Sequence, residues 1–434
     1  MIIYCFFEVK QKGFIVKKFI MLILSGVSAI VLSGCGMGTP DAEGWKSSQK
    51  DEFLEILETD KYASICNQQA LYEKVKESEN SKLMSKLLVA YTNNLANGCI
   101  DLESFNESQE KRVEKKVATY YETYLQDVKE SDIMRKLRAG QSIEEILKPY
   151  VPQYAQFFDL KKRYMLLKGD TNTSKKTLRK MRLNLERLKL MKPGIGDNYA
   201  LVNVPEYTVR VIDTNGTAVA MAVVVGQRKM QTPIFSANLS YVTLNPQWGV
   251  PDSIARNEVI PKLLKDPGYL VSHNMVIRKS YDLGTPEVSQ DSVDWEAYLI
   301  EEKDSKDMTY KFIEVPSEKN GLGRVKFIFP NKHSVYMHDT QSKSLFKRKV
   351  RTFSHGCVRL AKPVMMLDHI SKNYTTNSDE DVKEWYDSLK TKHMGLSKKL
   401  PVHTSYLTTY VDECGDLLVF NDIYGFDKSQ KLNF

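Results

Sequence analysis

The chain is 434 residues long, with 42% hydrophobic and 27% charged residues, the balance of an ordinary globular protein rather than a disordered or polytopic one. That length supports two or more domains, each with its own core. The net charge of +8 comes from 62 Lys and Arg against 54 Asp and Glu, mixed along the chain; with no basic motif interleaved with aromatics it argues against a nucleic-acid partner and suits an anionic polymer or lipid surface.

In chain order, Lys17 and Lys18 precede an almost unbroken apolar run from Phe19 to Leu32, which ends at Leu32-Ser33-Gly34-Cys35. A basic stretch, a short apolar stretch and small residues before a cut are the marks of an export signal, and the run is short for a spanning helix. The four closing residues resemble a bacterial lipobox. That makes residues 1–35 a lipoprotein signal peptide and Cys35 the lipidation site that anchors the protein to a membrane leaflet. Residues before Val16 fit a signal poorly and point to an over-extended start; the alternative is an uncleaved anchor. Either way the bulk of the protein is expected outside the cytoplasm, in the periplasm. Gly36 in place of an acidic residue after Cys35 favours the outer membrane.

Residues 36–44 read as a flexible tether, and residues 45–195 as an α-helical scaffold domain. Phe53, Leu54, Ile56 and Leu57 make one apolar stripe, Leu83, Leu87, Leu88 and Tyr91 a second, and Tyr120, Tyr121, Tyr124, Leu125 and Val128 a third. Ser142-Ile143-Glu144-Glu145 predicts a capping box on a short helix that stops before Pro149. Besides Cys5 and Cys35 the cysteines are Cys66, Cys99, Cys357 and Cys414; in an oxidising compartment Cys66 and Cys99 are expected to pair, and Cys414 reads as a surface or strand residue. No metal is expected, because neither Cys-x-x-Cys nor His-x-x-x-His spacing occurs and Cys357, His355 and His338 make a poor ligand set.

From residue 196 to 434 the period changes to that of strands. Tyr199–Val204, Tyr207–Asp213, Ala218–Val225, Tyr241–Leu244, Val325–Phe329 and Ser334–Met337 read as β, with a hairpin turn at Asn215-Gly216 and His338 at a strand end. Residues 252–320, mixed in charge and punctuated by prolines, read as an insertion. Ser378 predicts an N-cap for a helix with Val382, Trp385, Tyr386 and Leu389 on one face.

The chemistry concentrates in Ser354-His355-Gly356-Cys357-Val358-Arg359-Leu360, with His338 19 residues before Cys357. A thiol titrating near about 8.5 becomes a nucleophile only where an imidazole or positive potential favours the thiolate. A lone Cys with a nearby His is more often a small hydrophobe beside a satisfied polar group. Here Gly356 permits a sharp turn, so the amides of His355, Gly356 and Cys357 can converge as an oxyanion hole. Arg359 falls on the same side of an extended segment as Cys357 and can grip a carboxylate.

These residues resemble the signature of the L,D-transpeptidases, the YkuD-type family. Residues 184–187, 201–205, 231–233, 245–248, 250–254, 265–269, 322–323, 325–327, 329–331 and 422–425 are further similar to its large, YcbB-like Gram-negative branch. The resemblance implies an α+β fold in which a β-rich catalytic domain carries a capping subdomain inserted at 252–320. A peptidoglycan-binding module common in that branch has no counterpart before Leu183. The implied activity is acyl transfer forming 3→3 cross-links between peptidoglycan stem peptides, without a cofactor. Cys357 is then the nucleophile and His338 its general acid and base, oriented by Asp339 or a backbone carbonyl. Arg359 and Tyr336 grip the donor peptide, although Tyr336 also reads as an ordinary strand aromatic, and His355 serves as a structural or substrate contact. Water as acceptor makes the same site an L,D-carboxypeptidase trimming tetrapeptides to tripeptides. A lipid-anchored cell-wall scaffold without catalysis is the reading from another class.

Overall fold

The computed structural model describes residues 40–194 and 196–434; Cys35, the export segment and the tether as far as Thr39 lie outside them. The remainder of the expected tether is a closed turn. The Asp41 carboxylate accepts the amides of Glu43 and Trp45, pairs with Lys50 and accepts the Ser81 hydroxyl, because a short acidic side chain there satisfies several donors at once.

Helices α1 (Ser47–Glu58), α2 (Gln69–Ser78), α3 (Ser81–Asn97), α4 (Leu102–Glu114), α5 (Glu130–Arg138) and α6 (Ile143–Leu147) open the chain. Phe53, Ile56 and Leu57 of α1 meet Leu87, Leu88, Tyr91 and Leu95 of α3 and Ile133 and Leu137 of α5 in one core. Ser142 and Glu145 form the expected capping box on α6. The third expected stripe is not helical. Residues 117–129 are extended, and Ala118, Tyr120 and Glu122 exchange backbone hydrogen bonds with residues 229–234. Tertiary pairing overrides the helical spacing, and Tyr121 is used instead as a wedge against Phe105 and Phe426.

The stretch 45–195 contributes to more than one core. Helices α7 (Ala155–Lys168) and α8 (Lys175–Lys189) pack Phe157, Leu160, Met181, Leu185 and Leu188 against Tyr199, Leu201, Leu407 and Tyr410 of the β domain. Charged residues of α8 are buried there: Arg187 reaches Asp427 at 2.8 Å and the Tyr406 carbonyl at 3.1 Å, and Glu186 lies between Arg182 and Lys189. Buried ions survive only when paired, so each pair pins α8 in one position. Cys66 and Cys99 are joined in a disulfide, and the Cys99 amide donates to Glu186. Cys414 sits in the exposed turn between two short strands, Thr409–Val411 and Leu417–Val419.

The β domain contains β1 (Tyr199–Asn203), β2 (Thr208–Asp213), β3 (Gly216–Gly226), β4 (Phe235–Leu244), β5 (Trp248–Gly249), β6 (Met275–Arg278), β7 (Glu287–Val288), β8 (Lys311–Glu314), β9 (Val325–Ile328), β10 (Met337–His338), β11 (Thr352–Ser354), β12 (Val358–Leu360) and β13 (Lys392–Ser405). The hairpin between β2 and β3 forms, but its tip is Thr214-Asn215, because Gly216, at φ +112, already pairs with Asp213 as the first residue of β3. Nine strands follow the order β11-β3-β12-β10-β9-β4-β13-β1-β2, and β3 also pairs with β2 through its first half, so the pairings close on themselves. Alternate residues of these strands fill a single core with Met366, Leu367 and Ile370 of the helix Pro363–Tyr374. Ser378 caps the helix Asp379–Asp387, burying Val382.

Between β4 and β9 the chain builds a second, four-stranded sheet, β5-β8-β6-β7, over a separate core that includes Val250, Ile260, Ile277, Trp295 and Phe312. This inserted unit begins at Trp248, a few residues before the boundary expected from sequence, because β5 pairs with β8.

Candidate active site

Strand register places one residue from each of five strands in a single rank. His393 of β13, Thr243 of β4, Lys326 of β9, His338 of β10 and Arg359 of β12 are successive cross-strand partners. The next rank, Met394, Val242, Phe327, Met337 and Val358, is entirely buried. Period-two alternation therefore sends the apolar rank into the core and the polar rank to the opposite face, a row roughly 19 Å long at about 4.8 Å per strand.

Cys357 stands at the entry to β12 beside this row. The Val358 amide donates to the Tyr336 carbonyl at 3.0 Å, which makes Tyr336 the neighbour of Cys357, as His338 is of Arg359. The thiol is half-buried, is the free cysteine among the described residues, and donates to the Ser334 carbonyl at 3.8 Å. Burial pushes its pKa up, while Tyr336, Lys326 and Arg359 pull the other way by favouring the thiolate. Tyr336 is itself pushed up by burial and by the neighbouring thiol, which keeps its hydroxyl protonated.

The turn before Cys357 is locked by its own polar groups. The Ser354 hydroxyl accepts the Gly356 amide at 3.2 Å and donates to the Cys357 carbonyl, the Gly356 carbonyl accepts the Thr232 hydroxyl at 2.8 Å, and Gly356 takes φ +115. This corrects the expected oxyanion set: the Gly356 amide is spent inside the turn, leaving those of His355 and Cys357 as the candidate donors.

His338 is 5% exposed, and its pKa is lowered to about 3 by burial and by the positive charges of Arg359 and Lys326, only partly offset by the backbone of Asp339 and Leu322. Its Nδ1 makes no hydrogen bond of normal geometry. The Asp339 carboxylate is not its orienter. That carboxylate faces away and accepts the amides of Arg324 at 3.0 Å and Thr340 at 2.7 Å and the Lys343 ammonium.

Two residues in the site were given no role from sequence. Lys326 sits between buried Val325 and Phe327, with its ammonium 3.9 Å from the centre of the Tyr336 ring. Its polar character within an apolar strand was the available signal. Glu258 belongs to the inserted unit, and its Oε1 lies 2.9 Å from His355 Nε2. Cys357 first, and Glu258 second, offset the burial that lowers Arg359, whose Nε is buried without a partner. Cys35 lies outside the described residues. A separate cleft of about 600 Å³, lined by Tyr207, Arg228, Arg351 and Asp422, contains neither Cys357 nor His338.

A shielded thiol beside a neutral imidazole, two cations and a tyrosine can perform nucleophilic acyl transfer on a substrate bearing a carboxylate. Residues 197–394 match the YkuD family, described as the L,D-transpeptidase catalytic domain. A protein of Haemophilus influenzae, provisionally named an L,D-transpeptidase, is 29% identical over 264 residues, which cover 60% of this chain and 51% of that protein; the chain thus spans about half the length of the curated relative it matches. Solved structures that resemble it include an L,D-transpeptidase from Mycobacterium smegmatis, with 13% identity, 48% and 58% of the two chains covered and a TM-score of 0.20. The Ldtfm avibactam carbamoyl enzyme has 11% identity, 69% and 98% covered and a TM-score of 0.22. At such low scores neither structure assigns a role to any residue of this chain.

Proposed function

We propose that this protein, through the L,D-transpeptidase catalytic domain matched at residues 197–394, forms 3→3 cross-links between peptidoglycan stem peptides. The observation that carries this reading is the placement of Cys357 beside Tyr336, His338, Lys326 and Arg359 on one sheet face.

In this reading the Cys357 sulfur attacks the carbonyl of the third residue of a tetrapeptide stem, a C–S bond forms, and the C–N bond to the terminal D-alanine breaks. Burial keeps His338 neutral in the resting site, so it is ready to take the thiol proton as attack proceeds and to return it to the leaving amine. The amides of His355 and Cys357 hold the oxyanion, and each such donor is typically worth about 3 kcal/mol of barrier. Arg359 takes a donor carboxylate, since its buried Nε lacks a protein partner. The side-chain amine of a second stem then displaces sulfur from the thioester. The inserted unit serves as a capping subdomain, because Glu258 ties it to the loop that carries Cys357.

We place the protein in the periplasm, held to the outer membrane by a lipid on Cys35; the Cys66–Cys99 disulfide supports an oxidising compartment. The test is mass spectrometry of muropeptides after incubating disaccharide-tetrapeptides with the protein and with its Cys357→Ala variant. Dimers joined between third residues that vanish in Cys357→Ala are expected. Cys357-dependent tripeptides alone would make it a carboxypeptidase, and products indifferent to Cys357 would leave a scaffold.

A further inference from the structure

Thiolate at Cys357 requires a compensating positive charge. The groups that act on the sulfur are Tyr336, just before β10, Lys326 on β9 and Arg359 on β12; nearby, His338 lies on β10, and His355 in the Cys357 turn pairs with Glu258 of the inserted unit. His338 is not that charge, since a buried imidazole between two cations stays neutral. His355 Nε2 lies 2.9 Å from Glu258 Oε1, whereas Arg359 is acted on first by Cys357 and only then by Glu258, so it shares with Lys326 the task of favouring the thiolate.

Of these two cations, Lys326 acts the more strongly on the thiol. Register sets it directly opposite His338, and its ammonium stacks on the Tyr336 ring at 3.9 Å, Tyr336 being the residue whose carbonyl accepts the Val358 amide beside Cys357. None of the ion pairs among the described residues involves Lys326, so its charge is not consumed by a protein carboxylate. A cation held over a tyrosine face at a half-buried position costs desolvation, and the contact is useful where negative charge forms nearby.

We propose that Lys326 is the positioning residue that stabilises the Cys357 thiolate, its charge delivered across the face of Tyr336. The inference rests on Cys357 being the nucleophile, but its test needs no peptidoglycan. In this arrangement the acid–base duty and the counter-charge are divided: His338 moves the proton, and Lys326 supplies the field that lets sulfur hold negative charge. Burial lowers the pKa of Lys326, and the field of the thiolate opposes that shift, so thiolate and ammonium support one another.

The experiment is the pH dependence of iodoacetamide alkylation, using the intact chain and following the peptide that contains Cys357 by mass spectrometry. Lys326→Met and Lys326→Gln are expected to raise the apparent thiol pKa by about one unit, which slows alkylation about tenfold at pH values below it. Lys326→Arg should restore the profile to within about twofold, and His338→Gln should shift it by less than half as much as Lys326→Met. Urea midpoints of each variant identify any that fail to fold; Gln, polar and similar in reach, covers the loss of Met. An unchanged profile in both neutral variants would overturn the proposal, as would a larger shift in His338→Gln. Should Cys357→Ala retain peptidoglycan products, the transpeptidase reading falls while the alkylation profile still decides the role of Lys326.

Discussion

His355 Nε2 and Glu258 Oε1 lie 2.9 Å apart, and this pair joins the turn that holds Cys357 to a unit with a sheet and core of its own. Both side chains are partly exposed, so the pair is worth at most about 1 kcal/mol. Glu258→Gln should therefore loosen the inserted unit without unfolding it, and Cys357 should react up to about fivefold faster with a bulky maleimide. A slower reaction would mean that the unit does not shield the thiol.

The two most buried histidines predict an acid-side instability. His338 and His403 both have pKa values lowered to about 3, chiefly by burial. Between about 3 and 6.5 the unfolded chain binds protons that the native state refuses, so stability rises with pH through that window and is lost as pH falls. His403 accepts or donates only to Ser236 through Nδ1, at 2.6 Å, and its Nε2 has no partner. His403→Gln should flatten the loss of urea midpoint between pH 6.5 and 4.5 by roughly 1 kcal/mol per pH unit. Parallel slopes in variant and parent would refute the assignment.

The Cys66–Cys99 disulfide closes a 33-residue separation and anchors the first helices beside α8. Replacing both cysteines with alanine should cost about 3 kcal/mol, measured by urea unfolding, since such a cross-link restricts the unfolded chain. Alkylation of Cys357 in native conditions should be unaffected, because the disulfide lies beside α8 and not on the sheet face that carries Cys357.

Gly323 tests the support beneath His338. It takes φ +63, and a Cβ there would sit 2.2 Å from the Asp339 carboxylate carbon. Gly323→Ala should destabilise by more than about 1 kcal/mol and reduce Cys357-dependent turnover, because Asp339 must shift and it adjoins His338 in β10. Gly395→Ala, with open space around the added Cβ, is the control and should be neutral in turnover.

Much of this protein is legible in local order. The Ser142–Glu145 box, the hairpin between Asp213 and Gly216 and the Ser378 cap form where short-range hydrogen bonding dictates, and the motif residues 354–359 adjoin one another in the chain. The tyrosines at 120–124 mislead because helical spacing is only a local preference. The backbone there finds better partners in residues 229–234 than in a helix of its own.

What the sequence by itself determined is therefore the period of its elements, the caps and turns between them, and the chemical groups available near residue 357. Only the tertiary structure decided that Lys326, Tyr336, His338 and Arg359 share one face, and that Glu258 reaches His355 from 97 positions away in the numbering. Caps and turns are bonds within a few residues, whereas a rank across a sheet depends on register between distant strands, which the burial of its apolar neighbours selects.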